Sequence, residues 1–155
     1  LNVWLRRQGY LAFRREPPDS YADIAPETVA FGMDPGRIYL HRKGRFPEGR
    51  VEDDGPLDEI AAGLAEATHE GAPVFQRIWR RDEVYTGDQI AHAPDLVCTP
   101  VEGLDVKGAI KRDDLLSDTH FQGMHTWDGA FFWAADRHEV AAVSDIRSVI
   151  TDHLA

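Results

Sequence analysis

The spacing of apolar residues changes several times along this chain, and each change marks an element. Leu1, Trp4, Leu5 and Gln8 lie on one helical face that Gly9 ends, which predicts a short amphipathic helix at the start. Pro17, Pro18, Asp19 and Ser20 then break all periodicity, so residues 14–25 read as a loop. Residues 28–32 and 37–41 are short apolar and aromatic runs. The turn sequence Met33-Asp34-Pro35-Gly36 separates them and predicts a hairpin.

Pro56 opens the clearest helix, predicted over residues 56–69. Leu57, Ile60, Ala61, Leu64, Ala65 and Thr68 follow the i, i+3, i+4 pattern, Asp58 and Glu59 suit the positive N-terminal end, and Gly71 supplies a stop. Residues 74–79 predict a strand and residues 80–85 one helical turn. A further strand is expected over residues 95–99, with Pro100 ending its pairing. Residues 101–122 are polar and read as a surface loop with room for one short helix. The aromatic run at 130–135 has the length of a buried strand, residues 140–143 of a short one. Ile146, Val149, Ile150 and Leu154 form a helical stripe that Ser144 or Asp145 can cap. The expected architecture is α/β: a sheet holding the five longer strands, flanked by helices at residues 56–69 and 145–154.

With 155 residues, 43% of them hydrophobic, the chain is sized for one packed domain or part of one. Because it opens on Leu1 directly in a helical pattern, it reads as a fragment of something longer. A net charge of -10 without a long basic run argues against general nucleic-acid binding. No stretch approaches the roughly 20 apolar residues of a membrane span, and a cytoplasmic location is expected. The single cysteine, Cys98, lies in an apolar run and reads as a buried, inert thiol.

Candidate chemistry concentrates in a few places. In Lys43-Gly44-Arg45, two cations beside a permissive glycine can meet a phosphate, but turn chemistry alone also accounts for the segment, and a solvated loop is the favoured reading. Asp95 follows Pro94 at the start of a predicted strand, where its carboxylate either organises a site or serves structure. His125 is the candidate metal ligand: it lies in Gly123-Met124-His125-Thr126-Trp127-Asp128-Gly129, just ahead of the aromatic run. Thr119 and Thr126 read as loop hydroxyls; Trp127 and Asp128 either shape the entrance beside His125 or simply make a turn, and His120 is either a support for His125 or, the favoured reading, a surface-loop residue. The remaining histidines form no HxH or HExxH spacing.

The His125 segment, residues 1–11, residues 36–45 and Ala93-Pro94-Asp95-Leu96-Val97 together resemble, in collinear order, the C-terminal part of a type I phosphodiesterase/nucleotide pyrophosphatase of the alkaline phosphatase superfamily. The resemblance implies the C-terminal portion of an alkaline-phosphatase-like fold. It implies that His125 completes one of two adjacent divalent metal sites, zinc being the expected ion. It further implies a phosphate ester or nucleotide substrate, with the Ser or Thr nucleophile and the other Asp and His ligands in a half that would precede Leu1. No catalytic residue is assigned within this chain, and the fragment alone is expected to be inactive. Its expected partner is that missing half, and a homodimer is an expected artefact of an uncovered apolar face. The alternatives are a phosphatase or phosphomutase of the same superfamily, or a noncatalytic binding or cap module.

Overall fold

The computed structural model describes residues 1–118, 129–136 and 138–154. The chain divides into two compact units, Leu1–Met124 and His125–Ala155, each taken by itself below.

The first unit is mixed α/β. Helix α1 (Asn2–Arg7) leads through a loop to the hairpin of β1 (Ala30–Met33) and β2 (Arg37–Leu40). Helix α2 (Gly55–Ala65) follows, then the two-residue strands β3 (Thr68–His69) and β4 (Ala72–Pro73), β5 (Phe75–Arg80), the single turn α3 (Arg81–Val84) and β6 (Leu96–Pro100). The main sheet has four strands in the order β1-β2-β6-β5, and every neighbouring pair is antiparallel.

The hairpin forms as its turn sequence predicts, with Gly36 at φ +62° supplying the left-handed position beside Arg37. Helix α2 ends at Ala65 rather than at residue 69. Beyond it, Glu70 and Gly71 both adopt positive φ, which folds Thr68–His69 back on Ala72–Pro73 as a small hairpin. Its buried residues are Leu57, Ile60 and Leu64, the apolar stripe read from the spacing. They join Leu5, Leu11, Ile38, Leu40, Leu96 and Cys98 in one core between the helices and the sheet. All five β6 residues are buried, as suits a strand with neighbours on both edges.

Helix α1 departs from the predicted stripe. Gln8 is exposed, whereas Asn2, Val3 and Leu5 are buried. The cause is a polar contact that helical periodicity does not register. Asn2 Nδ2 donates to the carbonyls of Gly32 (2.9 Å) and Gly108 (2.6 Å), and the Gly32 N–H donates back to Asn2 Oδ1 (2.7 Å). Tyr21 Oη lies 2.7 Å from each of the same two carbonyls, with one proton to share between them. A buried amide satisfied on both sides fixes geometry strongly, because each lost partner strands a desolvated group.

That staple also changes the picture of the polar stretch after β6. Among its described residues no helix forms, yet it is not a free surface loop. Gly108 is held by Asn2, Tyr21 and the Asp34 carboxylate, and Asp113 by Arg6 and Arg7. Cys98 is fully buried at the sheet centre, and burial pushes its thiol up to about 12. Iodoacetamide at pH 8 should therefore alkylate Cys98 at least ~100-fold more slowly in the folded chain than in urea, as timed mass spectrometry would show.

In the second unit the described residues 129–136 carry no regular structure, so the strand predicted at 130–135 is overturned. Phe131 is 92% and Trp133 79% exposed, the opposite of a buried strand. A run of apolar residues specifies a preference for burial but not the neighbouring edge that a strand needs. Residues 140–143 likewise form no strand: the chain passes from there into a 3₁₀ turn at Val143–Asp145. The terminal helix α4 (Ile146–Leu154) does form, and the Asp145 carboxylate accepts from the backbone N–H groups of Ala141 and Ala142 (3.0 and 2.9 Å) ahead of it.

No helix among the described residues is long and apolar enough to cross a membrane.

Candidate functional site

Asp95 precedes β6, and its side chain has no exposed surface. The backbone leaves it no freedom there: its N–H donates to Ile38 O (2.8 Å) and its carbonyl accepts from Arg81 N (3.1 Å), so it is fastened to β2 on one side and to the start of α3 on the other. A carboxylate buried in this way must be paired.

The pairing comes from three distant arginines. Oδ1 accepts from Arg42 Nε (3.0 Å) and Nη2 (2.7 Å), and Arg81 Nη1 lies 3.3 Å away. Oδ2 accepts from the Leu40 N–H (2.9 Å), and Arg45 Nη1 stands 3.8 Å off. Arg42 also reaches Asp54, just before α2. One buried carboxylate thus ties the end of the hairpin, the segment leading into α2, the start of α3 and the central strand into one ionic cluster.

Charge states follow from these contacts. Burial works against the charge on Arg42, but its bonds to Asp54 and Asp95 more than offset it and raise its pKa. The bond from Arg42 holds the Asp54 carboxyl below the usual range despite its partial burial. Arg45 goes the other way: burial lowers its pKa, Asp95 opposes this, and repulsion from Arg81 and Arg42 adds to it.

Arg45 is also the residue whose setting differs most from the sequence reading. Lys43 is exposed and paired with Glu52, as a solvated turn requires. The Arg45 guanidinium instead lies over the rings of Tyr39 (5.2 Å) and Phe46 (5.0 Å), and its Nη2 donates to the carbonyls of His92 (2.6 Å) and Ala93 (3.1 Å). The aromatic residues flanking the cation at Tyr39 and Phe46 were the available signal for this burial. Arg81 was missed because a pair of arginines at a strand end says nothing about which carboxylate it will meet.

His41 is buried, with Nδ1 3.3 Å from Thr28 O and Nε2 2.9 Å from Pro47 O, so both ring nitrogens face backbone carbonyls and neither is free for a metal. Among the described residues no three His, Cys, Asp or Glu side chains converge in a way that would hold an ion. The candidate ligand His125 lies outside the described residues, as do Thr119, His120, Thr126, Trp127 and Asp128. The described residues therefore do not on their own make up a two-metal centre.

A separate hollow of about 540 Å³ is lined by Arg6, Glu16, Pro17, Pro18, Ile110, Lys111 and Asp113. Arg6 there is already engaged by Glu16 and Asp113, and the chemistry converging on Asp95 is absent from it. Comparison of the chain with models of known protein families, with curated proteins and with solved structures found no match.

Proposed function

We propose that this chain is the C-terminal part of a metal-dependent phosphodiesterase or nucleotide pyrophosphatase of the alkaline phosphatase superfamily, in which His125 contributes to a two-metal centre. The reading rests on the collinear resemblance, and one observation supports it: segments of that resemblance far apart in sequence are bonded directly to one another. Arg42 and Arg45, from residues 36–45, converge on Asp95 of Ala93-Pro94-Asp95-Leu96-Val97.

In this reading a neutral imidazole at residue 125 is a metal donor, and the remaining ligands and the nucleophile come from sequence preceding Leu1. A pair of divalent ions, zinc being the expected identity, would supply stabilisation of the attacking and leaving oxygens of a phosphate ester. The described residues hold the hairpin, the Asp95 strand and residues 107–113 together. The upstream half is the proposed partner of this unit, and the cytoplasm its proposed location.

The test is turnover by the protein expressed from its full reading frame, with bis(p-nitrophenyl) phosphate and p-nitrophenyl phosphate compared side by side. Diester hydrolysis that stops with a chelator and returns with zinc is the expected result. Preference for the monoester would replace the reading with a phosphatase or phosphomutase, and inertness of the zinc-loaded protein toward both would leave a noncatalytic module.

A further inference from the structure

We infer that the arginine cluster at Asp95 is a seat for a tetrahedral oxyanion bridging Arg45 and Arg81. The first ground is charge. Arg42, Arg45 and Arg81 face Asp95 and Asp54, three cations against two carboxylates, within a chain whose net charge is -10. Arg80 adds nothing to the surplus because Asp58 pairs with it, and Arg77 is matched by Glu83.

The second ground is an unmatched donor. On Asp95, Oδ1 takes the two Arg42 nitrogens with Arg81 Nη1 at ion-pair distance, and Oδ2 accepts from Leu40 N. Arg45 Nη1, 3.8 Å from Oδ2, is buried and has no hydrogen-bond partner among the described residues. Buried side-chain donors are nearly always satisfied, and an orphan on a cation marks a missing acceptor.

The third ground is preorganisation. Arg45 cannot swing away to find water, because its face rests on Tyr39 and Phe46 and its other terminal nitrogen is held by the His92 and Ala93 carbonyls. Arg81, with 27% of its side chain exposed against 16% for Arg45, is the member of the pair that a ligand reaches from solvent. Two guanidinium groups that repel each other are bridged best by a group with several anionic oxygens, as phosphate and sulfate have. This site is drawn from the cluster alone and does not depend on the metal-centre reading.

The experiment is thermal unfolding in sodium phosphate and in sodium chloride of matched ionic strength, for the wild-type chain and for Arg81→Gln, with phosphate binding followed separately by calorimetric titration. At about ten times the dissociation constant, phosphate should raise the wild-type Tm by roughly 3–6 °C beyond chloride. Arg81→Gln should fold but lose most of that gain and most of the calorimetric signal. Sulfate should reproduce the phosphate effect. A wild-type response to phosphate equal to that for chloride overturns the site, and so does a phosphate gain that survives intact in Arg81→Gln.

Discussion

Replacing Asp95 with alanine should lower the free energy of unfolding by about 3–5 kcal/mol, the cost of leaving buried cations without their counter-charge. The variant removes the shared acceptor of Arg42 and Arg81, the nearest carboxylate to Arg45, and the bond from Leu40 N. The Arg42 guanidinium keeps Asp54, but Arg45 keeps only its carbonyl and aromatic contacts. Urea denaturation followed by circular dichroism measures the loss. Asp95→Asn should fall between the two, since an amide can still accept from Leu40 N while the charge is gone. Arg81→Gln, at the more exposed rim of the cluster, should cost about 1 kcal/mol or less. If Asp95→Ala proved as mild as the rim substitution, the cluster would not be what joins hairpin, α3 and central strand.

Gly36→Ala should be nearly as damaging, at about 2–5 kcal/mol. Its φ of +62° is one that an L residue pays for, typically about 1–2 kcal/mol. A Cβ there would also overlap the carbonyl oxygen of Cys98, which is sheet backbone and cannot step aside. Overpacking of that kind adds roughly 1–3 kcal/mol. The Cys98 N–H donates to Gly36 O (2.7 Å), so a shift of the turn would loosen β6 where it meets the hairpin. Gly71→Ala makes the matched control: its φ is +81° but a Cβ there would meet nothing within 4 Å, so it should lose only the conformational part. The difference between the two variants, read from the same urea titrations, isolates the overlap.

These two positions show how much of the molecule is legible in its sequence. The hairpin and α2 were legible because their information is local: a Pro-Gly turn between two apolar runs, and a stripe of Leu57, Ile60 and Leu64 behind a proline. Asp95 was visible as a polar residue at the start of an apolar strand. Its partners at residues 42, 45 and 81 were not, since side chains so far apart meet only after the sheet order is set. Asn2 is not legible in the sequence for the same reason: it lies off the apolar stripe, and its bonds to Gly32 and Gly108 span 30 and 106 residues. The run at 130–135 failed in the opposite direction. Its aromatic content is strongly suggestive, but Phe131 and Trp133 are exposed, because apolar composition cannot supply a pairing edge. The α/β character of the first unit was therefore readable, whereas the antiparallel order β1-β2-β6-β5 was not.

The proposed role of His125 as a ligand in a bimetallic centre is tested most directly by metal content. Wild-type protein from the full reading frame and its His125→Ala variant would be loaded with zinc, freed of excess ion and analysed by inductively coupled plasma mass spectrometry. The account predicts two tightly held ions per wild-type chain and about one in the variant, with both proteins equally folded by circular dichroism. Equal zinc content in the two, whether two ions or none, would contradict it.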